Sequence, residues 1–377
     1  MADDGALMLP EVNSDMNNDV RELQDSARQV LAGLGLAADE AASWPRIADL
    51  GWLMISTPEE MGGLGMGLAG ACALQVELGR QLATVPFLPA VLAIEALAHG
   101  VLADKVQWLE RLTAGEMYVA VPLADCALNV QRDSRGVLLL TGTLLAVPSA
   151  DNASHVLLST LHGEHVGLVA TAQPGVTVIE RATWDTTRRL FDLQFDAVEL
   201  EEHHIVASGS QAQVLAMRLG VQRDFLLAAD AVGGAAALLQ MTVDYLQART
   251  QFGRPLALFQ ALKHRCADLK AQTEAAEALL LDSLGRQQMD SADGIACAEL
   301  AGKAAKQLAC AAFATVAEEA LQLHGGIGMT SEHNCHLFLK RALLNEHLGR
   351  APDSYETGIA DAFLASCQPT CASIQTL

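Results

Sequence analysis

Tyr245-Leu246-Gln247-Ala248-Arg249-Thr250-Gln251-Phe252-Gly253-Arg254-Pro255-Leu256, followed by Phe259-Gln260-Ala261-Leu262-Lys263-His264, is the corner at which two long helical runs meet. Upstream, Gln211 to Gln247 carries apolar residues at three- and four-residue spacing; Phe259 to Arg286 and Asp293 to Leu323 repeat the pattern, the last ending in Gly325-Gly326. Gly253 and Pro255 stop the first run, and Arg249 stands where a cation complements the helix dipole. Such an arginine can also turn its planar fork outward to a phosphate. Runs this rich in Ala and Leu predict a bundle, because small residues let helices approach closely.

Toward the N-terminus the pattern changes twice. From about Asn17 to Thr113 it is amphipathic and helical, with runs at Val20 to Leu34, Glu40 to Leu53, Gly67 to Leu82 and Leu88 to His99. Strand signals begin at Tyr118 to Pro122 and continue through Gly136 to Leu140, Val156 to Leu158 and Val166 to Val169, closing near Glu201. Helices, strands and helices again predict an α+β protein. The expected units are an N-terminal helical domain over residues 1–115, a middle β domain over 116–204 and a C-terminal four-helix-type bundle over 205–377. No repeat of solenoid period interrupts this order.

The chain has 377 residues, 51% hydrophobic and 4% aromatic, enough to bury a large core. Its 24 Lys plus Arg against 45 Asp plus Glu give a net charge of -21, which repels nucleic acid and anionic lipid. A polyanionic ligand therefore has to meet locally concentrated arginines. The eight cysteines form no CxxC pair and read as small buried hydrophobes in a reducing compartment. Met1-Ala2-Asp3-Asp4 lacks the features of a secretory signal, and no stretch of 18 uncharged apolar residues offers a membrane span. The expectation is a cytoplasmic protein.

One motif is set aside. Gly65-Met66-Gly67-Leu68-Ala69-Gly70 matches G-x-G-x-x-G, but Pro58 to Gly63 before it reads as a turn and not as the buried strand that the dinucleotide fingerprint requires. It is expected to be a loop before a helix. Glu346 with His333, His336 and His347 suggests a metal group, but those spacings, with Cys335, do not share one helix face.

The Arg249 corner resembles the acyl-CoA dehydrogenase signature, in which a helix ends in R-x-Q-F-G and restarts with F-Q. Gln322-Leu323-His324-Gly325-Gly326-Ile327-Gly328-Met329 resembles the same family's Q-x-x-G-G-x-G loop. Pro58 to Gly65, Gly142 to Asp151 and Trp184-Asp185-Thr186-Thr187-Arg188 add weaker similarity. The resemblance implies α,β-dehydrogenation of an acyl-CoA substrate with FAD. Arg249, Phe252, Gln260, Gln322, Gly325, Gly326 and Gly328 would contact the FAD of a neighbouring subunit, and an electron-transfer flavoprotein would accept the electrons.

Two departures from the family matter. Its own-flavin loop, T-E-P-x-A-G-S-D, corresponds here to Val119-Ala120-Val121-Pro122-Leu123-Ala124-Asp125-Cys126, without the hydroxyls or the glycine. The usual catalytic Glu falls near Gly349, in Leu348-Gly349-Arg350-Ala351-Pro352, and an alternative base position falls on Arg223, one residue from Asp224. The reaction needs a carboxylate to take the Cα proton while flavin takes hydride from Cβ; Asp224 is the nearest acid. Residues serving a neighbour's flavin are kept, and those holding the chain's own flavin are lost. That pattern resembles the base-lacking subunit of α2β2 acyl-CoA dehydrogenases that act on steroid side-chain CoA thioesters. The rivals are a self-sufficient homotetrameric dehydrogenase using Asp224, and a non-catalytic scaffold of the same fold.

Overall fold

A computed structural model describes residues 14–367 except 126, 287, 288 and 290, so the readings of Met1 to Asp4, Cys126 and Cys371 lie outside the described residues. The first helical block comprises α1 (Ser14–Leu34), α2 (Glu40–Asp49), α3 (Gly67–Arg80), α4 (Phe87–His99) and α5 (Lys105–Thr113). Asp39 starts α2 by accepting from the Ala41 amide, satisfying one of the donors a helix N-terminus leaves unpaired. The helix expected over Glu40 to Leu53 stops at Asp49, and a 3-10 turn, Trp52–Met54, follows. Gly67 to Gly70 fall within α3, so the rejected fingerprint is a helix start and only its first residues are loop.

Eight strands follow: β1 (Val119–Ala120), β2 (Asn129–Arg132), β3 (Leu138–Pro148), β4 (His155–Ser159), β5 (His165–Ala170), β6 (Val176–Arg181), β7 (Leu190–Leu200) and β8 (Ile205–Ser208). They form two four-stranded sheets, ordered β1-β4-β5-β8 and β2-β3-β7-β6. Pairing is antiparallel except between β1 and β4. Along β3, Leu138, Leu140 and Leu144 point into the core while Thr141 and Leu145 are exposed, the period-two pattern of a sheet with one buried face.

The second helical block contains α6 (Ser210–Ala248), a hairpin of β9 (Thr250–Gln251) and β10 (Arg254–Pro255), α7 (Gln260–Gly285), α8 (Ala292–His324), α9 (Cys335–His347) and α10 (Pro352–Cys367). α6 is long and apolar enough to cross a membrane, but 72% of its most apolar window is buried in the fold. Its burial has a local cause at the crossing with α3. A Cβ built on Gly79 would overlap the Asp230 backbone, and one on Gly233 would overlap the Val76 carbonyl. Only residues without side chains allow that approach.

Next to this crossing lies a buried ionic node. Arg341, 1% exposed, donates to Asp185 Oδ2 at 2.9 Å, to Asp230 Oδ1 at 3.3 Å and to the Thr187 carbonyl at 2.8 Å. Asp230 also receives Gln75 (2.9 Å), Asn345 (2.7 Å) and Arg188 (2.8 Å). Burial alone would raise the Asp230 carboxyl, but Arg188 and Arg341 hold it below its ordinary value. α3, the turn before β7, α6 and α9 are thus tied at one point, and the Trp184 to Arg188 turn serves as a tether.

The cysteines only partly follow expectation. Cys72, Cys310 and Cys335 are buried, Cys266 is half-buried, and Cys297 is exposed; all five are free thiols. Cys297 lies near the start of α8, where the spacing of apolar residues did not disclose which face turns outward.

Candidate functional site

The Arg249 corner and the Gln322 to Gly328 loop are brought together by Tyr245 and His324. The Tyr245 hydroxyl donates to the His324 carbonyl at 3.2 Å, and the two rings stack with centroids 4.5 Å apart. His333 packs against both rings, 4.3 Å from His324 and 6.2 Å from Tyr245. Around the corner, Leu256 N–H donates to the Arg249 carbonyl at 2.8 Å, and the β9–β10 hairpin projects Phe252, which is 88% exposed with φ +51°. The Arg254 guanidinium lies over the Phe259 ring at 4.0 Å.

Arg249, Gln260 and Gln322 are exposed, and Gln260 opens α7, where the Leu262 and Lys263 amides donate to the Phe259 carbonyl and those of Gln260 and Ala261 have no intrahelical acceptor. Gly325 and Gly326 face open space, with no atom within 4 Å of an added Cβ. Gly328 differs: it is buried against Leu321 and His324, and its carbonyl accepts from Cys335 Sγ at 3.5 Å. Among the described residues the Arg249 guanidinium has no hydrogen-bond or ion-pair partner. The surface is therefore cationic, lined partly by bare backbone and edged by apolar side chains.

Asp224 and Gly349 meet elsewhere, beside a cavity of about 460 Å³ between strands β4 and β5 and α6. Asp224 lines it, is 3% exposed, and accepts from Arg223 at 3.1 Å and from the Tyr355 hydroxyl at 2.8 Å. Burial, with the Asp224 charge added, pushes the Tyr355 phenol well up and keeps it protonated as a donor. Gly349 has φ +82°, and a Cβ there would overlap the Tyr355 hydroxyl. Its amide donates to the Leu123 carbonyl at 2.7 Å, and its carbonyl accepts from the Asp125 amide at 2.8 Å.

Arg350 closes the cavity rim with bonds of 3.1 Å to Asp125 and 3.1 Å to Glu299, and Glu299 also takes Lys303 at 2.9 Å. Burial raises the Glu299 carboxyl, but Lys303 and Arg350 outweigh it and hold the group below its ordinary range. Tyr355, Lys306 and Glu299 escaped the sequence reading because each meets its partner from 40 or more residues away, and no local spacing marks them. Lys306 donates to the Glu346 carbonyl at 3.0 Å and lies 4.2 Å over the Tyr355 ring, so Glu346 enters through its backbone.

Family models for the acyl-CoA dehydrogenase N-terminal domain and C-terminal domain match residues 18–116 and 212–349. The acyl-CoA dehydrogenase IpdE2 of Mycobacterium tuberculosis is 35% identical over 296 residues, 78% of each chain. Among solved structures, a Tcur3481–Tcur3483 steroid ACAD variant aligns with TM-score 0.81 at 27% identity, over 93% of this chain and 99% of that one. The ChsE4–ChsE5 complex of Mycobacterium tuberculosis aligns with TM-score 0.77 at 26% identity, over 96% and 99%.

The chain belongs to the acyl-CoA dehydrogenase family of FAD-dependent oxidoreductases. Its relatives include an enzyme named IpdE2, and its structural neighbours include a steroid ACAD variant.

The residues present fit FAD unequally at the two sites. The corner offers a free guanidinium, a helix N-terminus and the open side of Gly325 and Gly326, which suit a dinucleotide's phosphates and backbone approach. In the cleft, the Asp125 amide is committed to Gly349, and each arginine is paired with carboxylates.

Proposed function

We propose that this chain is the helper subunit of a heteromeric acyl-CoA dehydrogenase, assembled as α2β2, that completes the FAD site of a base-bearing partner. Bound FAD supplies the acceptor for the hydride leaving Cβ of the acyl thioester. The part played by this chain is to grip the cofactor's ADP half through Arg249, Gln260 and the backbone at Gly325 and Gly326. A steroid-derived CoA thioester is the proposed substrate class, in keeping with the likeness to the steroid ACAD variant. An electron-transfer flavoprotein and a cytoplasmic setting complete the reading.

The closure at Gly349 carries it: where the family pattern puts a carboxylate, this chain has a left-handed glycine covered by Tyr355 and stitched to residues 123–125. Asp224, the remaining acid, is held by Arg223 and Tyr355, so its charge is already balanced. Its presence in the cavity wall is the observation favouring the self-sufficient reading.

Flavin absorbance and dye-coupled acyl-CoA turnover separate these readings when measured on the chain alone and on the chain co-expressed with a base-bearing acyl-CoA dehydrogenase subunit. The helper predicts little flavin and no turnover alone, with both restored in the complex. Full flavin loading and activity alone would overturn it, whereas no flavin in either preparation would favour a scaffold.

Installing the missing acid is expected to fail. Gly349→Glu forces a side chain into the left-handed region, costing about 1–2 kcal/mol, and overpacks Tyr355 for roughly 1–3 kcal/mol more. The variant should melt several degrees lower and gain no dehydrogenase activity by itself. Activity from the isolated variant would show that the cleft is still competent.

A further inference from the structure

The segment joining β7 to β8, Glu201-Glu202-His203-His204, has no part in the site described above, yet it concentrates metal-ligating atoms. His203 Nε2 lies 3.1 Å from Glu201 Oε2, and His204 Nδ1 lies 3.5 Å from the same oxygen. One ligand atom from each of the three residues lies within 4.8 Å of the others. Bonds of 2.0–2.1 Å in a tetrahedral arrangement place ligand atoms about 3.3 Å apart, so two of the three separations already suit such an ion. The third, between the two imidazole nitrogens, is within 4.8 Å, and the exposed His203 ring is the one free to close it.

We propose that Glu201, His203 and His204 form a binding site for a divalent transition-metal ion of the zinc class, with water completing the coordination. Two imidazoles and one carboxylate are the donor set such ions prefer over hard calcium or magnesium, which take oxygen ligands. The surroundings favour an ion as well. His204 packs edge-on against Trp108 at 6.1 Å and against His155 at 5.5 Å, which limits where its ring can turn.

The site fastens the strand-to-strand turn just ahead of α6, where the Val101 amide also donates to the Val206 carbonyl at 2.9 Å. An ion there should staple the β7–β8 turn, since all its protein ligands come from residues 201–204. Its effect would be on stability, since the corner and the cleft use none of these residues.

The test is isothermal titration of ZnCl2 into the full chain, prepared without a polyhistidine tag and stripped with EDTA, beside thermal melts. One saturable site with Kd at or below about 10 µM is expected, with a melting point raised by about 3 °C or more at a hundredfold excess over Kd. His203→Ala and Glu201→Gln should each weaken binding at least tenfold. His203 is exposed, and circular dichroism checks that both variants fold. His333→Ala should leave binding unchanged. Absence of saturable binding, a Kd weaker than about 10 µM, or binding that survives both substitutions would overturn the proposal.

Discussion

Replacing Arg341 by Met should cost about 3–5 kcal/mol, a large share of the roughly 5–15 kcal/mol that holds an ordinary domain folded. The loss comes from what stays behind and not from the value of the pair itself. Arg341 is the donor to Asp185 Oδ2 and one of two arginines on Asp230. Without it, Asp230 keeps Arg188, Gln75 and Asn345, whereas Asp185 keeps only Thr187 on its other oxygen. Asp185→Asn in the Arg341→Met background should therefore recover part of the loss, because a buried neutral amide costs less than a buried unpaired charge. Urea unfolding midpoints of the single and double variants measure this, and a fall below about 1 kcal/mol in the single variant would show the node to be incidental.

The same node sets an acid limit. Asp230 titrates below its ordinary value when folded, so its contribution is complete above the unfolded value near 3.9 and disappears as pH falls through the lower folded value. In Arg341→Met the folded value rises toward the unfolded one, and acid unfolding should begin at higher pH than in the wild type.

What the sequence disclosed, and what it did not, follows from range. The helices α3, α4, α6, α7 and α8 fall within a few residues of where spacing placed them, because helical periodicity is a local property. The order of β strands is not local: β1 pairs in parallel with β4 across more than thirty residues, and β7 lies between β3 and β6, which no alternation reveals. The Arg249 corner was legible because its chemistry is contiguous. Arg341, by contrast, meets Asp185 and Leu82 from far along the chain, so it looked like one more helical cation. At the cleft, resemblance located Gly349, but only coordinates could place Tyr355 over it.

Arg249→Ala should leave the chain's fold intact and weaken FAD in the co-expressed complex by about 10- to 100-fold. That range is the 1.5–3 kcal/mol of a hydrogen bond to a charged group, at about 1.4 kcal/mol per factor of ten. A loss of structure does not account for the effect, since the Arg249 side chain is exposed and the corner is held by backbone bonds from Arg249 N–H to Tyr245 and from Leu256 N–H to Arg249. Arg249→Lys should fall between the two, because an ammonium keeps the charge and loses the planar fork that grips two phosphate oxygens. Flavin retained on dilution, followed by absorbance alongside thermal melts of the isolated subunit, reads both effects. If Arg249→Ala holds FAD as tightly as the wild type, the free guanidinium serves assembly or solubility, and the corner is not the place where this chain meets its partner's cofactor.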